Sequence, residues 1–273
     1  MGASTSSDTG YAMGRSDAEE ERLQRQAMFL APATRRLFAA AGIGPGMKVL
    51  DIGSGAGDVA LLAAELVGLH GRVVGVDIHP ALVETARRRA AGRANVAFVA
   101  GDIREVALDD DFDAVVGRFV LGHLPDPAAA LRHLLPHLRP GGIVAFVELD
   151  IQGVPSAAYP TTPLSEQVAR WCAQALRYTA GTDLHRIFLD AGLPAPEMLV
   201  DASVGGSPAF LAQQTIWVQE TIRSLLPLLV KGGFASEDAV GIDTLGERLY
   251  AEQVASRSMA RSQLFYGAWA RRA

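Results

Sequence analysis

Short apolar runs alternate with amphipathic stretches through the first half of the chain. Val49-Leu50-Asp51-Ile52, Val73 to Asp77, Val96 to Val99, Asp113 to Val116 and Ile143 to Leu149 read as five buried strands. Between them, Asp58 to Val67 predicts a helix ended by Gly68, and Pro80 opens a second carrying Leu82, Ala86 and Ala90 on one face. Asp126 caps a third that begins at Pro127, with Pro136 expected to bend or shorten it. Strands alternating with helices at this spacing predict crossover units: an α/β fold with a mostly parallel sheet and flanking helices.

The two ends follow other patterns. Ser16 with Glu19 forms a capping box, and residues 16 to 41 predict two helical pieces bent at Pro32, with Thr34 restarting the helix and Gly42 ending it. After Asp150 the alternation stops. Leu164, Val168, Trp171 and Ala175 form a helical stripe, Asp183 to Ala191 predicts a short helix, and Glu197 to Val204 a strand. Ser207-Pro208 starts a long apolar helix through Trp217 and Leu225, a polar helical stretch follows from Ser236, and Ser262 to Ala270 predicts a strand at the sheet's edge. The expected organisation is a leader with lid helices over 1–35, a cofactor-binding core over 36–150, a mainly helical substrate cover with a late strand over 151–258, and a terminal strand over 259–273.

The 273 residues carry a formal net charge of -5, which speaks against the basic stripe of a nucleic-acid partner. One cysteine, Cys172, excludes an intrachain disulfide and a thiolate metal cluster, and no histidine–carboxylate spacing suggests a metal. The apolar run Leu225 to Val230 is too short to span a membrane and contains Pro227. Met1 to Gly10 lacks the basic start and apolar centre of a signal peptide and reads as a leader on a cytoplasmic protein.

Candidate chemistry concentrates in Val49 to Asp58. Gly53, Gly55 and Gly57 let the backbone turn tightly after the first strand and approach a ligand, with Ser54 inside the turn. The spacing is Gly-x-Gly-x-Gly, not the dinucleotide Gly-x-Gly-x-x-Gly, and Asp51 just before it would repel a pyrophosphate. A zwitterionic amino-acid tail or a sulfonium suits that place. Asp77, followed by Ile78, ends the second strand where a carboxylate accepts from ribose hydroxyls. Asp102 follows the third strand, placed to accept from an adenine amino group while Ile103 covers the ring.

These residues resemble the first signature of class I S-adenosylmethionine-dependent methyltransferases, which have a Rossmann-like fold. The likeness continues through Val-Gly-Val-Asp at 74–77, Ala-Gly-Asp-Ile at 100–103, Phe-Asp-Ala-Val-Val at 112–116 and Leu-Arg-Pro-Gly-Gly at 138–142. Tyr11-Ala-Met-Gly-Arg-Ser, Glu-Arg-Leu-x-x-Gln at 21–26 and Gly-Arg-Phe-Val-Leu-x-His-Leu-Pro-Asp-Pro at 117–127 resemble bacterial small-molecule members near the ubiquinone/menaquinone-biosynthesis type. The resemblance implies S-adenosyl-L-methionine as cofactor, its methionyl part held by Asp51 and the glycines, its ribose by Asp77 and its adenine by Asp102 and Ile103. It also implies an acceptor covered by the N-terminal helices and the region after the fifth strand.

Other residues keep two readings. Arg118 either meets the methionyl carboxylate or pairs with a surface acid. Tyr11 either folds over the sulfonium or belongs to a tail. His123 and Glu148 are candidate acid–base groups; His123 equally suits a hydrogen bond within its own turn. His185, Tyr178 and Trp171 either line an acceptor pocket or pack. The expected reaction is methyl transfer to a small aromatic or lipophilic acceptor, on oxygen, nitrogen or carbon, in secondary metabolism. A nicotinamide-dependent oxidoreductase and a non-catalytic cofactor-binding regulator are the rival classes. The N-terminal helices offer a surface for a homo-oligomer.

Overall fold

The computed structural model describes residues 30–108, 111–150, 157–175 and 180–273. The alternating first half folds as its pattern dictates. Strands β1 (Lys48–Ile52), β2 (Arg72–Asp77), β3 (Val96–Ala100), β4 (Phe112–Arg118) and β5 (Leu138–Asp150) alternate with α2 (Asp58–Val67), α3 (Pro80–Arg89) and α4 (Pro127–Leu134), all preceded by helix α1 (residues 30–41). The main sheet has seven strands in the order β3-β2-β1-β4-β5-β10-β7, with β7 at Glu197–Asp201 and β10 at Leu264–Arg271. β1 to β5 are mutually parallel, whereas β10 runs antiparallel to both β5 and β7. The central strands are apolar on both faces because helices cover both. Leu37, Phe38, Ala60, Ala63, Val83 and Ala86 fill one side. Leu131, Leu134, Leu184, Ile187 and Phe188 fill the other, with Phe146 meeting Phe188 edge-on at 6.4 Å between ring centroids.

Three expectations need correction. The aromatic C-terminal strand β10 is not at the edge: β7 pairs with its outer side and takes that place. α6 (Ala180–Asp190), expected within the cover, packs Leu184, Ile187 and Phe188 into the sheet core. The described part of α1 is one continuous helix through Pro32. Thr34, expected to restart it, is a wholly buried residue whose hydroxyl donates to the Leu30 carbonyl at 3.0 Å. Pro136 does end its helix, since α4 stops at Leu134 and a single 3-10 turn, Leu135–His137, leads into β5. The capping box at 16 and 19, the first helical piece, Tyr11 and Tyr178 lie outside the described residues.

The cover is built from α5 (Pro163–Ala175), α7 (Pro208–Lys231), α8 (Glu237–Val240) and α9 (Leu245–Ala255). It has its own apolar centre: Trp171 and Cys172 of α5 meet Val218, Ile222 and Leu225 of α7 and Leu245 and Leu249 of α9. Trp171 is therefore a packing residue. Below it a small antiparallel sheet, β6-β9-β8, joins Ala157–Tyr159, Met259–Arg261 and Val204–Gly205. Among the described residues, no helix is long and apolar enough to cross a membrane, and no group of three or more histidine, cysteine or acidic side chains suits a metal ion.

Candidate active site

Parallel strands in an open sheet deliver their last residues to one edge, where ligands bind. Here that edge carries Asp51, Asp77, Arg118 and the Gly101-Asp102 turn, from four neighbouring strands. The glycine turn closes beneath them. Gly53 has φ +65°, and a Cβ there would stand 2.5 Å from Val120 Cγ2. Gly57 has φ +89°, and its Cβ would meet Phe98 Cζ at 2.8 Å. Both positions therefore require glycine on conformational and steric grounds. The turn is braced by its neighbour strand, as Ser54 N–H donates to the Val76 carbonyl at 3.0 Å and Gly55 N–H to Asp77 Oδ2 at 2.8 Å.

Asp51 is the unusual group. It is wholly buried, and neither carboxylate oxygen has a well-formed hydrogen bond. Burial raises its pKa well above the usual carboxylate range; Arg118 and, more weakly, the backbone N–H of Ala60 pull it back only in part, and Asp77 and Asp58 add repulsion. A sealed carboxylate of this kind calls for a cationic donor. Arg118, the nearest fixed cation, is itself buried at the head of a short chain of polar contacts. Its guanidinium donates to Thr34 Oγ1 at 3.1 Å and stands 3.9 Å from Asp58 Oδ2, while Arg89 pairs with Asp58 at 2.6 Å. Burial holds the Arg118 pKa below its ordinary value, against the pull of Asp58 and Asp51. Its partners are thus site residues and a helix hydroxyl, not a surface acid.

Asp77 is nearly buried, with Oδ1 accepting from His79 N–H at 2.8 Å as Oδ2 accepts from Gly55. Ile78 beside it is 59% exposed, at the rim. Asp102 is held by Arg104, which donates from Nε at 2.9 Å and from a guanidinium amine at 2.5 Å, lowering the carboxyl pKa to about 2. Ile103 packs half-buried against the core on the α4–α6 side.

The two acid–base candidates separate. Glu148 is wholly buried on β5, and its Oε1 accepts from Val120 and Leu121 N–H at 3.0 and 2.8 Å. Those bonds anchor the 3-10 turn Leu121–His123, so one carboxylate oxygen of Glu148 shapes the loop after β4. His123 ends the same turn, reaches the surface, and has its pKa lowered by partial desolvation. His185 is exposed on α6.

Sequence reasoning missed Thr34, Asp58, Arg89 and Phe119. Asp58 was findable, as an acid at the first turn of the helix after the glycines. Phe119 was not: it adopts φ +58°, and its ring stacks on Phe265 with centroids 6.1 Å apart.

Comparison with known proteins agrees with this geometry. Residues 43–192 match the family described as a methyltransferase domain. A demethylmenaquinone methyltransferase of Staphylococcus aureus is 33% identical over 135 residues, 49% of this chain and 53% of that protein. The chain thus spans about half the length of the curated relatives it matches. A SAM-dependent methyltransferase from Aquifex aeolicus superimposes with a TM-score of 0.53 at 20% identity, covering 68% of this chain and 93% of that one. The YcgJ protein from Bacillus subtilis gives 0.55 at 19% identity, covering 88% and 97%. These two likenesses concern the fold.

Proposed function

The chain belongs to the methyltransferase-domain family, and from that premise we propose that it transfers a methyl group from S-adenosyl-L-methionine to a small acceptor. One observation carries the reading: a wholly buried carboxylate, Asp51, whose oxygens lack a well-formed hydrogen bond, directly beside a left-handed glycine turn at the sheet's carboxyl edge. The methionyl ammonium is the donor that Asp51 lacks. Arg118 offers the complementary cation for the methionyl carboxylate. Asp77, already oriented by two backbone amides, presents its remaining lone pairs to the ribose hydroxyls, and Ile78 borders them. Asp102 and Ile103 take the adenine end. Gly53, Ser54, Gly55 and Gly57 supply the floor. Tyr11 belongs to this proposal on sequence grounds alone.

The cofactor, when bound, supplies an electrophilic methyl group on a positive sulfur. The chain's own task is to orient the acceptor opposite that sulfur and to exclude water. His123 is the remaining candidate for taking a proton from a hydroxyl acceptor, since its lowered pKa keeps the imidazole neutral and basic near pH 7. The acceptor is aromatic or lipophilic: stacked Phe119 and Phe265 lie beside the cofactor turn, and the Staphylococcus aureus relative is named for a quinone substrate.

Titration calorimetry tests the assignment. S-adenosylhomocysteine is expected to bind and NADH to give no heat. Binding of NADH without S-adenosylhomocysteine would restore the oxidoreductase. Transfer of labelled methyl to an acceptor pool then separates an enzyme from a cofactor-binding regulator.

A further inference from the structure

One side chain in the cover is buried with nothing to bind. Gln214 of α7 is wholly enclosed, and neither its Nε2 nor its Oε1 has a hydrogen-bond partner. Gln253 and Gln263 are also buried, but there only Oε1 is unmet. A buried amide with both ends unsatisfied is costly to keep, and native proteins rarely do so without a ligand or water to fill the gap.

Its position points to a ligand. Gln214 stands one turn before Trp217, and residues three apart share a helix face. Trp217 packs against the sheet-side core that contains Phe265. Phe265 stacks on Phe119, and the Arg118 guanidinium lies 5.8 Å from the Phe119 ring centre. Trp217 thus ties α7 to the same core cluster as Phe265, whose ring stacks on Phe119 next to Arg118. Gln214 lies one helical turn from that junction of cover and core.

We propose that the Gln214 carboxamide grips the methyl acceptor through a paired donor and acceptor edge, of the lactam or carboxamide class, carried on a flat aromatic frame. This rests on the methyltransferase reading above. A single planar partner offering one N–H and one C=O side by side meets both ends of the amide at once, which two separate groups would have to do otherwise. Its buried neighbours on α7, Leu211, Thr215 and Val218, carry no charge, so a carboxylate or ammonium acceptor would be desolvated against apolar ground.

The test uses the full chain saturated with S-adenosylhomocysteine and two probes: 2-quinolinone, and 1-methyl-2-quinolinone, which keeps the carbonyl but lacks the N–H. The parent should prefer 2-quinolinone by about tenfold or more, because a site built for a donor rejects the analogue without it. Gln214→Met, unbranched like glutamine, should bring the two probes within about threefold while retaining S-adenosylhomocysteine affinity and an equal or higher Tm. Gln214→Leu should do the same. Undiminished discrimination in both variants overturns the proposal. So does a fall in Tm in both, which would mean that the amide holds the fold, and so does failure of the loaded parent to bind either probe. Failure of the parent to bind S-adenosylhomocysteine would instead sink the methyltransferase reading itself.

Discussion

The sheet's carboxyl edge and the helical cover are built on opposite principles. At the edge, polar groups from β1 to β5 and the turns after them converge, and most are held by hydrogen bonds: Asp77 by the Gly55 and His79 amides, Glu148 by the Val120 and Leu121 amides, Arg118 by Thr34 and Asp102 by Arg104. In the cover, α5, α7 and α9 pack mainly apolar side chains on one another, and a few buried polar groups such as Gln214 stand isolated among them. On the proposed reading the edge is a preorganised receptor for the cofactor, whereas the cover is a separate packing unit that shapes the acceptor's side. If that division is real, damage on one side should leave the other standing.

The largest effect belongs to Asp77. Asp77→Ala removes the proposed acceptor for the ribose together with the brace on Gly55. Two charge-assisted hydrogen bonds, at about 1.5–3 kcal/mol each, predict a loss of S-adenosylhomocysteine affinity of about a hundredfold or more. Calorimetry checks it, with retention of the cover's helical signal by circular dichroism as the control. Undiminished affinity would remove Asp77 from the site.

The reciprocal experiment opens a cavity in the cover. Ile222 is wholly buried among α5, α7 and α9. Ile222→Ala should cost about 2–5 kcal/mol in the stability of that unit. Cofactor affinity should stay within about twofold, because sites without shared partners add independently. Loss of S-adenosylhomocysteine binding in step with the melted cover would show that the two regions form one cooperative body.

This division also explains what the sequence could disclose. The edge was legible because each of its parts has a local cause: a left-handed glycine turn, an acid at a strand's end, a proline at a helix start. Asp51, Asp77 and Asp102 could be found by position alone. The cover's polar residues were opaque, since Gln214 becomes notable only when its burial and its empty hydrogen-bonding capacity are seen together. Glu148 shows a related limit. Period-two alternation puts it at the sheet's carboxyl edge, yet the loop after β4 folds back over it and takes its carboxylate. α6 was assigned to the wrong unit because its apolar stripe says that it packs, not against what. The place of β10 depends on pairing with β7, a long-range choice with no local mark.

Asp51 sharpens the comparison through pH. Its pKa is raised in the folded chain, so its share of stability is complete below the unfolded value of about 3.9 and is lost as pH rises through the folded one. Asp51→Asn lacks that penalty. The variant should gain on the parent in Tm as pH rises from 5 to 8, above the unfolded value, where the parent carries the penalty of a buried acid. Saturating S-adenosylhomocysteine should reverse the order, because only the parent regains a cation partner. Parallel melting curves across that pH range would mean that Asp51 is not the strained acid of the edge.

Arg104 should matter least, and its smallness is informative. It holds Asp102 with a pKa of about 2, a depressed value whose contribution to stability is present above the unfolded pKa and fades as pH falls toward 2. At pH 7 the carboxyl is ionised with or without Arg104, so Arg104→Ala changes no charge on Asp102. It does free lone pairs that the guanidinium now occupies. Because that guanidinium is exposed, the pair is weakened by water, and S-adenosylhomocysteine affinity at pH 7 should move by less than about threefold, toward tighter binding if adenine and Arg104 compete. Asp102→Ala should weaken binding where Arg104→Ala does not. A matching loss in both variants would show that the cofactor's adenine end is recognised by the arginine, and would transfer one role at the edge from a strand-end acid to a solvent-exposed cation.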